Sequence, residues 1–269
     1  MSKVSEDARK KYLETIKDYK KAIEDIENRE KMILQVLEKD STGAEFKKLR
    51  LAEENLNLLS YYVLMNNLSV SLLGVKNQGY LDEARKLCYK FLIYLEQVVT
   101  ATIDGPFSDY QDKVDLISSY DYTDRWRLTT KMGLALQLVL TAYGDNTKWK
   151  WTFVELEARY ATVVKNLINL KTLFQDMDPN AEGYDTKMAH LELTRKLLDQ
   201  AANRYREKYE LSTLRFDDFR LAIKYLGALR YIYLSINKSV DADNIKRKME
   251  IWQAKLESDL KRKDIAAKQ

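Results

Sequence analysis

Proline and glycine are scarce in this chain: two and eight residues among 269. Proline breaks helix interiors and glycine weakens them. Their rarity, with 32% of residues charged, predicts long helices joined by short turns. No segment alternates apolar and polar residues with period two, so no strand is expected. Cysteine is limited to Cys88, which rules out an intrachain disulfide and gives an oxidising compartment no support. Histidine is limited to His190, so no second histidine or cysteine pair completes a zinc set. There is no glycine-rich phosphate loop. Residues Met1–Lys11 carry no apolar run of signal-peptide type, and the cytoplasm is the default expectation. An excess of one charge sign is missing too. Forty-five basic residues face 41 acidic ones, net +4, interleaved and without the basic face of a nucleic-acid binder.

What is present is apolar and helical. Hydrophobic residues make up 45% of the chain, ample for a core. Residues Asn55–Val75 are uncharged over a length that could span a bilayer. Asn57, Ser60, Asn66, Asn67, Ser69 and Ser71 lie within it, and adjacent asparagines near its centre are costly in lipid. The segment therefore reads as a buried central helix, with no transmembrane segment. The length allows one or two domains. We read a single all-helical domain over 1–269, with a subdivision near 104–107 as the alternative (1–104 and 107–269).

The fold class is all-α, with eight or nine helices as antiparallel hairpins in a bundle or a short repeat-like solenoid. Tyr12, Ile16, Tyr19, Ile23, Ile26, Ile33 and Leu37 follow a 4-3-4-3 spacing, with Glu30 in the one polar slot. That narrow seam predicts a helix over Ser5–Lys39. Later helices are predicted over Ala44–Asn77, ended by Gly79 as a left-handed cap, and over Tyr80–Ile103. A short helix follows over Ser108–Tyr120, with Ser108 as its cap. Thr123 is expected to cap a helix over Asp124–Tyr143, closed by Gly144. The remaining helices are read over Thr147–Met177, Tyr184–Glu210, Asp217–Asn237 and from Asp241 onward. The last shows a second seam of Ile245, Met249, Trp252, Leu256 and Leu260.

At the second hairpin the chain reads Gln78-Gly79-Tyr80-Leu81-Asp82-Glu83-Ala84, followed by Cys88 and Phe91. This resembles the turn and second helix of a tetratricopeptide repeat over about residues 65–98. Asp218–Leu229 resembles the second helix of such a repeat alone. Leu72 departs from the family's usual small residue. The resemblance implies that Ala84 lets two helices approach closely, that Cys88 and Phe91 face inward, and that Asn66, Ser69, Leu73 and Lys76 line a groove for a protein or peptide partner.

Two clusters mix tryptophan with basic residues: Arg125-Trp126-Arg127, and Trp149 and Trp151 beside Lys148 and Lys150. Trp and Arg recur at binding hot spots, so these are candidate partner contacts; packing is the competing reading. Eighteen tyrosines against seven phenylalanines suit half-exposed faces or wet interfaces. Asp109, Asp112 and Asp115 recur every third residue, yet nothing nearby resembles an ion loop. No metal and no cofactor are expected. His190 reads as a solvated or hydrogen-bonded helix histidine, and Cys88 as a small buried hydrophobe. With no nucleophile–base pair in view, the expected function is a non-enzymatic interaction or scaffold protein presenting a helical groove. The alternatives are self-assembly through the first and last helices, or an all-α ligand binder or enzyme with an interior cavity near helices two and six.

Overall fold

The computed structural model describes residues 4–173 and 177–266. Among them are nine α-helices, eight of them long, with no strand, and neighbouring helices pack antiparallel. They are α1 (Glu6–Lys39), α2 (Ala44–Leu73), α3 (Gln78–Val98), α4 (Gln111–Leu116), α5 (Tyr122–Tyr143), α6 (Lys150–Asn166), α7 (Tyr184–Lys208), α8 (Phe216–Ser235) and α9 (Ser239–Ala266). No helix among the described residues is long and apolar enough to cross a membrane. The chain divides into two compact units. Unit 1 holds Met1–Thr100 and Arg127–Lys150; unit 2 holds Ala101–Trp126 and Trp151–Gln269.

In unit 1 the seam of α1 lies on α2, and α2 lies on α3. Ser5 caps α1 by accepting the Ala8 N–H at 3.1 Å, and Glu6 and Asp7 meet the positive end of the helix dipole. Ile16, Ile23 and Ile26 are buried, and so is Glu30. The polar slot in the seam is therefore an interior charge. Glu30 accepts from Asn55 Nδ2 at 2.8 Å and pairs with Lys90 Nζ at 2.7 Å, which ties α1 to α2 and α3. Leu51, Leu56, Leu59, Phe91, Leu92 and Leu95 close the core, each adding roughly 1.5–3 kcal/mol. Along the second half of α2, Leu64, Asn67, Val70 and Ser71 are exposed. The helix is thus covered on most sides but keeps one open stripe, and is not enclosed all round as its composition suggests.

In unit 2, α8 packs between α7 and α9. Aromatic rings run across them: Tyr205 stacks on Tyr225 at 5.8 Å, Tyr209 on Phe219 at 4.8 Å, and Phe219 meets Trp252 at 5.9 Å. Tyr205 and Tyr209 are therefore core residues and not boundary positions. The α9 seam packs on the same cluster. Both seams are taken up within their own units.

Several helix ends differ from the sequence reading, for local reasons. Gly74, and not Gly79, adopts left-handed geometry (φ 68°) and ends α2 at Leu73. Gly79 lies in the first turn of α3, which Asn77 caps by accepting the Tyr80 N–H at 3.2 Å. α3 ends at Val98, well before Ile103. Ser108 caps nothing: a 3-10 turn over Phe107–Asp109 precedes the short α4. Asp121 and not Thr123 caps α5, accepting the Asp124 N–H at 2.8 Å. α6 stops at Asn166, because side chains take the carbonyls that would continue it. His190 Nε2–H donates to Val164 O at 2.9 Å and Arg125 donates to Leu167 O at 2.8 Å. Residues 174–176 of the predicted helix lie outside the described residues. Turns at Gly43 (φ 62°) and Gly144 (φ 79°) are where the sequence puts them.

Candidate functional site

The four groove positions implied by the repeat resemblance do not form one open face. Asn66 and Ser69 are buried and build the turn between α2 and α3. Asn66 Oδ1 accepts the Asn77 N–H at 3.0 Å, and Ser69 Oγ donates to Val75 O at 2.8 Å. Once Gly74 starts the turn, those polar groups are needed inside it. Lys76 reaches the last carbonyl of α5, donating to Tyr143 O at 3.3 Å. Leu73 stands apart from these three. With Val4, Arg9, Tyr12, Leu13 and Val75 it lines an apolar groove of about 380 Å³, where Leu13 and Val75 are more than half exposed. Ala84, Cys88 and Phe91 are fully buried, as the resemblance implies.

The Trp/Arg clusters also separate. Arg125 is buried in unit 2, and its guanidinium donates to three carbonyls: Tyr120 and Leu167 at 2.8 Å and Ile117 at 2.9 Å. It is an interior brace, not a surface contact. Trp126 is half-buried with its ring 6.2 Å from that of His190, while Arg127 is exposed. Trp149 belongs to unit 1, where the Arg85 guanidinium lies 3.8 Å from its ring centre. Trp151 belongs to unit 2 and packs on its core. The two tryptophans thus face different surroundings, two residues apart.

His190 is buried, and burial pushes its pKa down to about 4, with the charge of Arg125 acting in the same direction. It is a neutral hydrogen-bond donor and not a solvated group. Burial pushes the Cys88 thiol up to about 12, so it is an inert core side chain. Asp109, Asp112 and Asp115 are all exposed. Among the described residues no group of three or more His, Cys, Asp or Glu could hold a metal ion.

The site that sequence reasoning missed is centred on Lys165. Unit 2 contains a cavity of about 370 Å³ between the loop at Ile103–Pro106, α6 and α8. Lys165 lines it from α6, and Arg230, Tyr231 and Leu234 line it from α8. Lys165 is only 2% exposed. One of its three N–H donors goes to Ile103 O at 3.0 Å, and its ammonium lies 5.3 Å from the centre of the Tyr110 ring. Burial drives its pKa down to about 8, opposed by the charge of Asp104. At the rim, Asp104 is held by Lys224 at 3.0 Å. Arg230 is half-buried, and its Nε has no hydrogen-bond partner among the described residues. The cavity therefore offers two cations, one aromatic ring and an aliphatic wall. A signal existed in the sequence: Lys165 interrupts the apolar run Val163-Val164 to Leu167-Ile168.

The TP0443 family model matches residues 8–260. The chain belongs to the TP0443 family. The family match spans α1 through most of α9 and includes every residue of the Lys165 cavity. No tetratricopeptide family was identified. Comparison with curated proteins and with solved structures found no match.

Proposed function

We propose that unit 2 binds a small ligand bearing a carboxylate or phosphate group, held by Lys165 and Arg230 with its apolar part against Tyr231 and Leu234. The observation that carries this reading is a buried lysine in a ligand-sized cavity that forms no ion pair among the described residues, the cavity's one carboxylate, Asp104, being held by Lys224 at the rim. Lowering a lysine from 10.5 to about 8 corresponds to roughly 3 kcal/mol of disfavoured charge. A hydrogen bond from a charged donor to a carbonyl recovers about 1.5–3 kcal/mol, and it engages one of the ammonium's three N–H donors. An anion in the cavity supplies the missing counter-charge.

The test is a thermal-melt screen of wild type, Lys165→Met and Arg230→Met against small carboxylates and phosphate monoesters. A compound should raise the wild-type melting temperature and do so less in both variants. Affinity should also fall toward tenfold per pH unit above about pH 8, because the empty site loses its ammonium charge as pH rises through that value. Equal shifts in all three proteins, or no shift with any compound, would end this reading.

A second reading, a protein-binding helical frame, is favoured by the groove at Leu13, Leu73 and Val75. Its size and apolar rim suit the apolar side chains of one turn of a partner helix. A pull-down comparing wild type with a folded Leu73→Glu variant tests it. Equal recovery of every captured protein would remove this groove as the binding surface.

A further inference from the structure

The link between α7 and α8 carries features that the packing of unit 2 does not require. α7 passes into one wide π-type turn over Tyr209–Thr213, and Leu214 then adopts left-handed geometry at φ 49°. Glycine or asparagine occupies such a position readily; a leucine there is strained. Leu214 is also 69% exposed, and Leu211 in the preceding turn is 72% exposed. The backbone beneath them is firmly held. Buried Asp218 accepts from Lys208 Nζ at 2.8 Å and from Thr213 Oγ1 at 2.7 Å, and the Leu214 N–H donates to Tyr209 O at 3.1 Å. Two leucines are thus presented to solvent on an anchored turn.

Leu214 borders a cleft of about 670 Å³ that also carries Arg215, Arg220, Arg262 and Lys263. Its two carboxylates are engaged. Asp217 pairs with Arg220 at 2.8 Å, and Asp259 accepts from the Tyr209 hydroxyl at 2.8 Å and from Lys255 Nζ at 3.0 Å. Among the described residues, Arg220 is the one cation of the four in an ion pair. No side chain caps the start of α8, so its first N–H groups add positive potential.

We propose that this corner of unit 2 docks on an anionic lipid bilayer, with Leu211 and Leu214 entering the interface and the four cations meeting headgroup phosphates. A soluble anion would use the cations but gives no reason for two exposed leucines on a held turn. An acidic protein partner could use the same cations, so binding to vesicles free of protein is what distinguishes the bilayer from it. Apolar tips beside a basic cluster supply both halves of interfacial binding, burial at the acyl boundary and attraction to anionic headgroups.

The experiment is sedimentation of the full chain with phosphatidylcholine vesicles, with and without phosphatidylglycerol. Binding is expected only to the anionic vesicles and should weaken with salt. Arg262→Ala and Lys263→Ala should each lose about fivefold in affinity. Leu214→Asn and Leu211→Ser should also bind more weakly. Leu214→Asn should at the same time raise the melting temperature, since asparagine relieves the left-handed strain. Opposite signs for stability and binding distinguish docking from a structural role. Absence of binding to anionic vesicles overturns the proposal. So does full binding by both leucine variants, with inorganic phosphate displacing the protein, which would mark a soluble-anion site. Neither outcome depends on Lys165, which lies outside this cleft.

Discussion

Glu54 is fully buried in unit 1, with Arg50 at 2.7 Å and Arg29 at 3.1 Å. Burial alone would raise its pKa, but the Arg29 hydrogen bond and the two guanidinium charges outweigh it, and the carboxyl stays below its ordinary range. Arg125 of unit 2 is handled differently, through carbonyl oxygens and not through a counter-charge. Its neighbour Arg127 has the same chemistry in sequence, and helical phase separates them. Arg125 shares a stripe with Leu128, Thr129 and Met132, all buried, whereas Arg127 shares one with Thr130 and Leu134, both exposed. Removing Arg125 takes its guanidinium from three carbonyls, of which Ile117 O keeps the Tyr120 N–H at 3.0 Å. Arg125→Ala should therefore cost on the order of 3–5 kcal/mol, and Arg127→Ala less than about 1 kcal/mol. Urea denaturation of both variants checks this. Comparable losses would mean that Arg125 is not the interior brace. Such a phase argument was open to the sequence at positions 125 and 127. It could not reach Lys165, because nothing in a one-dimensional pattern says whether a lysine in an apolar stripe reaches out to water or turns into a cavity that only the loop before α4 completes.

Periodic stripes located all the long helices, because burying an apolar face is what stabilises them. Helix ends were harder, because they depend on single hydrogen bonds. α6 ends where His190 and Arg125, distant in sequence, take its carbonyls. α2 ends at the nearer of two glycines because only Gly74 has a left-handed backbone. Swapping each for alanine separates their roles. A Cβ at Gly74 meets no atom within 4 Å, so its penalty is backbone strain alone, about 1–2 kcal/mol. At Gly79 the backbone is ordinary, and a Cβ would sit 3.3 Å from Asn77 Oδ1. The gain in helix propensity, about 1 kcal/mol, is there set against a small displacement of the capping side chain. Gly74→Ala should lower the melting temperature clearly, and Gly79→Ala should change it little. The reverse order in calorimetry would place the cap at Gly79 after all. The same reasoning explains the partial fit to a repeat hairpin. Ala84, Cys88 and Phe91 satisfy its packing positions, but the turn is built by Gly74, Asn66 and Ser69, which withdraws two of the implied groove residues into the fold.

At the scale of the molecule, neither unit is one continuous stretch of chain. The chain passes from unit 1 to unit 2 after Thr100, back after Trp126 and out again after Lys150. A cut at residue 104, where the glycine and proline stand, therefore does not isolate unit 1. It strands the portion of α5 that completes it. Lys131 Nζ donates to Asn57 Oδ1 at 2.8 Å, the Tyr143 hydroxyl donates to Asp82 Oδ1 at 2.8 Å, and Trp149 receives the Arg85 guanidinium. Leu128, Met132, Leu136 and Val139 add buried apolar surface from the same stretch. At roughly 1.5–3 kcal/mol for each buried side chain, that loss is comparable with the whole stability of a typical domain, about 5–15 kcal/mol. A fragment of residues 1–104 should keep helical circular dichroism but melt broadly, with exposed apolar surface that binds a hydrophobic dye. A fragment of residues 1–150 retains every segment of unit 1 and should melt more sharply. Adding a peptide of residues 127–150 to the shorter fragment should recover part of the difference, in proportion to peptide concentration. A sharp transition in residues 1–104 alone, at the temperature of the longer fragment, would show that α5 contributes nothing to that core.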